Sequence, residues 1–473
     1  MNLNNSNNYM PQNGIIAAIS TPQGIGGIAV VRLSGTGSIG LVDRFYESPV
    51  GKKLADRCAN TVHFGSIVDG DETIDEVLVS VFHSPHSFTG EESAEISCHG
   101  SLYIQQRILR LFVDNGASLA KAGEFTQRAF TNGKMDLAQA ESVADLIAAN
   151  SAATHRLALN QLKGGISSRL ADLRGQLLNF TSLVELELDF SEEDVKFADR
   201  DNLKELARKI EEHITVLADS FQVGNAIKSG IPVAIVGETN VGKSTLLNTL
   251  LQEEKSIVSD IHGTTRDAIE DILTVNGIVF RLIDTAGIRE TVDEIESIGI
   301  DRTFKKLEQA SIVLWLVDST ADDVHIVQFA EKVLPYITSQ KLILVFNKVD
   351  IVGCGVALDR KRTILQAEIP VRVFISAKYD EGVTGLKQAL LNAAGIPEIG
   401  EQDVIVSNIR HYEALKKAQQ AVRRVVDGLE MGISSDFLSQ DIRECLYYLG
   451  EITGQISVDE ILGNIFSKFC IGK

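Results

Sequence analysis

Proline is scarce in this chain, with 8 residues in 473, and no segment is of low complexity or plainly repeated. A proline-rich linker and a solenoid of short units are therefore excluded. No uninterrupted apolar stretch approaches the roughly 20 residues that a membrane-spanning helix needs, so no membrane partner is expected. Positive charge is also short. The net formal charge is −19, which excludes broad nonspecific nucleic-acid binding while leaving room for a local patch. One such cluster is Arg410, Lys416, Lys417, Arg423 and Arg424, and it reads first as a solvated helix face. Cysteine is sparse and odd in number. Cys58, Cys98, Cys354, Cys445 and Cys470 form no Cys-x-x-Cys pair, which points to free thiols in a reducing cytosol and to no zinc site. The first ten residues, MNLNNSNNYM, lack a basic region followed by an apolar one. They read as a disordered tail and not as a signal peptide, so a cytoplasmic location is expected.

What the chain does contain is a run of phosphate-binding chemistry. The apolar stretch Ile231–Val236 is followed by Gly237-Glu238-Thr239-Asn240-Val241-Gly242-Lys243-Ser244-Thr245, and then by a helical pattern over Ser244–Leu251. A glycine-rich turn from strand to helix aims successive backbone N–H groups at phosphate oxygens. Lys243 adds a point charge, and the Ser244 hydroxyl suits Mg²⁺.

Three further strand-end motifs identify the base. Asp284-Thr285-Ala286-Gly287 ends the apolar run Ile278–Ile283, where an aspartate can hold the Mg²⁺ shell and the Gly287 amide can report on the terminal phosphate. Asn347-Lys348-Val349-Asp350 ends Leu342–Phe346, and Ser376-Ala377-Lys378 follows Val371–Ile375. The Asp350 carboxylate can accept from guanine N1–H and its exocyclic amine. Adenine offers neither donor and would leave a desolvated carboxylate unpaired. Singly these are ordinary turns; four in this order point to GTP. Between the first two motifs lies the polar stretch Ser259-Asp260-Ile261-His262-Gly263-Thr264-Thr265, which reads as a switch ordered by the terminal phosphate, with Thr265 reaching Mg²⁺.

The chain is long enough for two or three domains. Residues 1–132 read as mixed α/β, with strand character at Ile15–Ile19, Ile28–Leu33, Val62–Ile67, Val77–Phe82 and Ala94–Ser97 and a helix at Leu102–Val113. Helical periodicity dominates 133–228 and returns in 393–473. The nucleotide-binding segment, 229–392, therefore interrupts a helical region. The simplest architecture inserts a doubly wound domain into a helical one whose halves pack together. Glu192, Glu193 and Asp194 read as a loop between helices.

The motifs SFTGEESAEISCHG (87–100), GEFTQRAFTNGKMDLAQAES (123–142), GTTRD (263–267), DTAGIRE (284–290) and the terminal CIGK (470–473) resemble the MnmE (TrmE) family of bacterial tRNA-modification GTPases over nearly the whole chain. The resemblance implies an α/β folate-binding N-terminal domain, an all-α helical domain and an inserted Ras-like α/β P-loop GTPase domain. It implies a homodimer through the N-terminal domains. It implies an activity shared with the FAD-dependent partner MnmG (GidA), adding an aminomethyl-type group to C5 of the tRNA wobble uridine. Carried over by motif, Arg32, Glu95, Lys134 and Lys473 would bind 5-formyltetrahydrofolate or a related tetrahydrofolate. A carboxylate such as Glu95 suits the guanidine-like donors of the pterin, and Arg or Lys suits the glutamate tail. Cys470 reads as an idle thiol, as part of a lipidation box that Gly472 and the terminal lysine argue against, or as a functional thiol near the folate. The resemblance favours the third.

Two absences shape the expected hydrolysis. The position after the DTAG motif, where Ras-like proteins carry a water-orienting glutamine, is Ile288. The resemblance points instead to Glu296. There is also no obvious arginine finger, although Arg266 and Arg289 are candidates by type. The resemblance implies K⁺ in that role, held by the Asn240 side chain with backbone oxygens near Ser259, Ile261 and Thr264. The competing reading is a regulatory GTPase acting as a switch in ribosome assembly or signalling, without folate chemistry.

Overall fold

The computed structural model describes residues 14–189, 200–252, 271–283, 309–337, 341–352, 364, 369–396, 400, 403–456, 459–467, 469, 470 and 472. The chain divides into two compact units. Unit 1 is Met1–Ala148, Ala158–Ala218 and Glu413–Lys473; unit 2 is Ala149–Leu157 and Asp219–Tyr412.

Unit 1 is built on a seven-stranded sheet in the order β3-β4-β5-β6-β2-β1-β7. Its strands are β1 (Ile16–Ile19), β2 (Gly26–Ser34), β3 (Tyr46–Glu47), β4 (Thr61–Asp69), β5 (Glu72–Phe82), β6 (Ser93–Gly100) and β7 (Ser118–Leu119). All neighbours are antiparallel except β1 and β7. Alternation sets the two faces. Ala29, Val31 and Leu33 of β2, Val77, Val79 and Val81 of β5, and Ala94, Ile96 and Cys98 of β6 share one core with Ile108, Leu111 and Phe112. That core lies beneath α1 (Ser38–Asp43) and α2 (Leu102–Asp114). The other face carries Arg32 and Glu95, and leaves Ile28, Val62, Phe64 and Leu78 exposed. A one-sided antiparallel sheet produces this inside–outside alternation. Close approach where β2 begins and β6 ends requires glycine: a Cβ on Gly100 would collide with the backbone of Gly26.

The sheet is followed in the chain by α3 (Glu124–Thr131) and α4 (Leu137–Ala148). After α5 (Ala152–Leu162) come α6 (Gly165–Asp189) and α7 (Arg200–Ser229). Helical residues in this stretch pack on a 3.6-residue stripe, Leu170, Leu173, Leu177, Phe180 and Val184 in α6 being almost fully buried. Glu192, Glu193 and Asp194, expected as a loop, lie outside the described residues.

Unit 2 holds a six-stranded sheet in the order β13-β12-β11-β8-β10-β9. The strands are β8 (Ile231–Val236), β9 (Asp271–Val275), β10 (Ile278–Ile283), β11 (Ile312–Asp318), β12 (Lys341–Asn347) and β13 (Arg372–Phe374). All pairings are parallel except the β9–β10 hairpin. In β11 Ile312, Leu314 and Leu316 enter one core with α8 (Lys243–Gln252) and with Leu386 and Leu390. Val313, Trp315 and Val317 enter the opposite core with Ile326 and Ala330 of α9 (Asp323–Val333). Leu386 and Leu390 belong to α10 (Val383–Ala394). Burial on both faces explains why these strands read as unbroken apolar runs.

The chain returns to helix in α11 (Ile409–Met431), α12 (Ser435–Thr453) and α13 (Asp459–Ser467). Within unit 1, α12 packs on α6, and the Arg174 guanidinium donates to the Leu446 carbonyl at 2.8 Å. Two segments of the chain separated by the whole of unit 2 thus complete one helical layer. No helix among the described residues is long and apolar enough to cross a membrane.

Candidate nucleotide site and candidate folate site

The phosphate loop connects β8 to α8, and its shape is set by three left-handed residues. Gly237 has φ 156°, Asn240 φ 61° and Gly242 φ 98°. A side chain at Gly237 would strike the Leu316 carbonyl, and one at Gly242 would strike the Asn347 amide. The glycines are therefore needed for close approach as well as for conformation. Lys243 opens α8, and its ammonium donates to the carbonyls of Gly237 at 2.6 Å and Glu238 at 2.7 Å. Burial holds the Lys243 pKa below the usual lysine range, partly offset by the charge of Glu238. Ser244 and Thr245 are exposed at the helix N-terminus, where a phosphate and its metal are favoured.

The strand ends around this loop lock it in place. The Asn347 side-chain amide donates to the Val241 carbonyl at 2.8 Å, and its oxygen accepts from Ala377 N–H at 2.9 Å. The Lys348 ammonium donates to the Asn240 carbonyl at 2.8 Å and to Asp318 at 2.7 Å. Ser376 donates its hydroxyl to Asp350 at 2.6 Å, and Thr249 of α8 donates to the Ala377 carbonyl at 2.7 Å. The Lys378 ammonium lies 5.0 Å from the Tyr379 ring centroid. The three sequence motifs at 240–245, 347–350 and 376–378 thus form one connected constellation. Asp318 was missed by the sequence reading. Its signal was there: a carboxylate that closes the apolar run Ile312–Val317, the same strand-end grammar as the other motifs. Ser259, Asp260, Ile261, His262, Gly263, Thr264, Thr265, Asp284, Thr285, Ala286, Gly287 and Glu296 lie outside the described residues, as do Ile288, Arg266 and Arg289.

In unit 1 the register Arg32↔Glu95 places those two side chains across neighbouring strands. Arg32 Nε donates to Glu95 Oε1 at 2.8 Å, and Nη2 lies 2.6 Å from the same oxygen. The Arg32 guanidinium also sits 5.7 Å from the Phe88 ring centroid and 5.6 Å from that of Phe125. Beside it, Arg128 of α3 is buried and bonds Glu91 at 3.2 Å and Glu124 at 3.0 Å. Ser34 donates to Glu91 at 2.8 Å. The Lys134 ammonium donates to the Pro85 carbonyl at 3.0 Å. The end of the chain comes to the same strands: Gly123 N–H donates to the Cys470 carbonyl at 3.4 Å, and the Ser20 hydroxyl donates to the Gly472 carbonyl at 3.2 Å. Cys470 is exposed, whereas burial pushes the Cys98 thiol up to about 11 and the Cys445 thiol up to about 12. Lys473 lies outside the described residues.

Two of the basic residues on α11 are engaged by neighbouring side chains. Arg424 is paired with Asp441 at 2.6 Å and with Glu444, and Lys417 lies 5.5 Å from the Tyr448 ring centroid.

Comparison with known proteins decides the family. The MnmE helical domain family matches residues 137–470, and the family described as GTP-binding protein TrmE N-terminus matches residues 15–134. The chain belongs to the MnmE (TrmE) family. A curated relative from Bacteroides thetaiotaomicron, named tRNA modification GTPase MnmE, is 56% identical over 462 residues, 97% of this chain and 99% of the relative. One of the same name from Flavobacterium johnsoniae is 52% identical over 463 residues, again 97% and 99%. Among solved structures, Era from Aquifex aeolicus is 26% identical at a TM-score of 0.27, covering 40% of this chain and 66% of that one. The FeoB G-domain from Methanococcus jannaschii is 26% identical at a TM-score of 0.25, covering 35% and 97%. The MnmE fold therefore comprises here an N-terminal α/β domain, a helical domain and a P-loop domain between the helical segments.

Proposed function

We propose that this chain hydrolyses GTP as a component of a tRNA-modifying system. The observation that carries the reading is the connected set Asn347–Val241, Lys348–Asn240 and Ser376–Asp350. It holds a guanine-reading carboxylate and a phosphate loop in one piece, in a chain more than half identical over 97% of its length to a tRNA modification GTPase.

In this reading Asp350 accepts the two guanine donors while Ser376 fixes its rotamer. Val241, Gly242, Lys243, Ser244 and Thr245 take the phosphates. Ser244, Thr265 and Asp284 would hold Mg²⁺, which would supply positive charge to the phosphates. Glu296 orients the attacking water. Water oxygen bonds to the terminal phosphorus, the bond to the bridging oxygen breaks, GDP leaves with that electron pair, and the water proton passes to a carboxylate or to phosphate. The donor set for K⁺ is oxygen-rich, with the exposed Asn240 side chain as its described member and Ser259, Ile261 and Thr264 as the others. Those residues would hold the ion, and the chemistry it would supply is positive charge beside the phosphates.

The N-terminal sheet supports a tetrahydrofolate site. Arg32 already holds Glu95, so its first role is to orient that carboxylate toward the pterin. The glutamate tail then falls to exposed Lys134 and to Lys473. Exposed Phe88 offers a ring face beside the pair, while Phe125 backs Arg32 from the core. The exposed Cys470 thiol belongs to the same region through Gly123. A homodimer, MnmG as FAD-dependent partner and a cytoplasmic location complete the reading.

The decisive experiment is analysis of wobble uridines in tRNA from cells lacking this protein, with and without complementation. Loss and recovery of the C5 modification is the expected result, and an unchanged uridine profile overturns the reading. Calorimetric titration of the folded protein with 5-formyltetrahydrofolate tests the one-carbon part separately: binding is expected, and no heat favours a pure switch.

A further inference from the structure

We propose that Asp318 is a positioning residue for the nucleotide, aiming the Lys348 ammonium at the Asn240 carbonyl and so tying the base-reading loop to the phosphate loop. The proposal rests on the GTP reading above.

Asp318 is the last residue of β11, and its register partner on β12 is Asn347. The strand ends stay joined past the sheet, where Ser319 N–H donates to the Asn347 carbonyl at 2.8 Å. Both carboxylate oxygens of Asp318 are engaged. Oδ2 accepts from Lys348 at 2.7 Å, and Oδ1 accepts from Thr320 N–H at 2.9 Å and from its hydroxyl at 2.7 Å. The threonine fixes the carboxylate plane, and the carboxylate fixes the ammonium. Burial pushes the Asp318 carboxyl up, and the Lys348 and Thr320 hydrogen bonds outweigh it and hold the carboxyl below its usual value.

The ammonium then spans two residues with left-handed backbones, Lys348 at φ 64° and Asn240 at φ 61°. Asparagine takes that conformation readily, but a lysine does so only when its surroundings hold it there. Here one ammonium, held by one carboxylate, reaches from its own left-handed residue to the carbonyl of the other. The Asp318 and Lys348 side chains are 19% and 32% exposed, so the pair is partly shielded and differs from an open surface bridge. Remove the carboxylate, and the lysine can swing away from the Asn240 carbonyl. The phosphate loop then loses one of its two ties to the 347–350 loop, keeping only Asn347 to Val241.

This role differs from a simple cap on β11, and a double-mutant cycle separates them. Release of a fluorescent GDP derivative from the full-length protein is followed by stopped flow. Asp318→Asn is expected to speed release about tenfold, the scale of one lost hydrogen bond between charged groups. Lys348→Met is expected to do so at least equally, and the double variant no more than Lys348→Met alone. The factor for Asp318→Asn is expected to be the same for inosine diphosphate, because Asp350 still reads the base. Thr320→Val, which removes one bond to the carboxylate, is expected to give a smaller acceleration of about two- to threefold. It also supplies the test if Asp318→Asn does not fold. Unchanged release in the variants, additive effects of Asp318→Asn and Lys348→Met, or a loss confined to GDP each overturn the proposal. Wild-type protein that does not retain GDP overturns the nucleotide reading itself.

Discussion

The six-stranded sheet of unit 2 is buried on both faces, whereas the seven-stranded sheet of unit 1 buries one face and exposes Ile28, Val62, Phe64 and Leu78 on the other. In unit 2 the central strand β11 is buried along almost its whole length, and its side chains are consumed by packing. Chemistry is displaced to the strand ends, where backbone groups and a few polar side chains meet, and each contribution is a contiguous short motif. In unit 1 a sheet face is open. Side chains on it, such as Arg32 and Glu95, can act together although they are 63 residues apart in the chain.

The contrast can be broken most forcefully at Lys243. Lys243→Ala is expected to reduce GTP hydrolysis at least about a hundredfold, measured as phosphate release, while titration with 5-formyltetrahydrofolate stays unchanged. Folate binding that falls equally would mean that the two sites are not separable. Asp350→Asn sharpens the same half of the comparison. It is expected to weaken GTP binding by about a hundredfold and to admit xanthosine triphosphate, which presents the complementary acceptor; equilibrium titration with both nucleotides checks this.

For the open sheet face, Glu95→Gln is expected to weaken tetrahydrofolate binding by about tenfold or more in calorimetry, because it replaces one acceptor oxygen with a donor and removes the counter-charge of Arg32. Arg32→Lys is expected to weaken it less, by about fivefold, since a lysine keeps the charge but loses the planar fork. Neither should alter GDP release. The smallest effect is expected at Arg424→Ala. The Arg424 side chain is 47% exposed, so loss of its contacts with Asp441 and Glu444 should change unfolding free energy by less than about 1 kcal/mol in a denaturant titration.

The same contrast governs what could be read before any coordinates. The buried parallel strands announced themselves as apolar runs, and β8, β10 and β12 end where the motifs begin. The main strands and α2 of unit 1 were also visible through alternation and helical period, within a few residues at the ends. The short edge strands β3 and β7 were not, since two residues carry no period. The register Arg32↔Glu95 and the sandwiching of Arg32 by Phe88 and Phe125 were invisible for a physical reason. Register is fixed by long-range pairing, not by local pattern. The family resemblance named Arg32 and Glu95 for one site; the ion pair between them is what the structure adds. Asp318 was legible only as a strand end, because its role depends on a lysine 30 residues away.

One contact sets a schedule. The hydrogen bond from Ser20 to Gly472 joins residues 452 apart, and Gly472 packs so closely on Ile19 and Ser20 that a Cβ there would lie 2.6 Å from the Ile19 carbonyl. At ordinary rates of bacterial synthesis, roughly 5 to 20 residues per second, β1 leaves the ribosome some 20 to 90 s before the residues that cover it exist. The ladder of β1 with β2 and β7 needs only the first 119 residues, so the sheet can close early, while the packing of Gly472 against Ile19 and Ser20 waits for the last residues made.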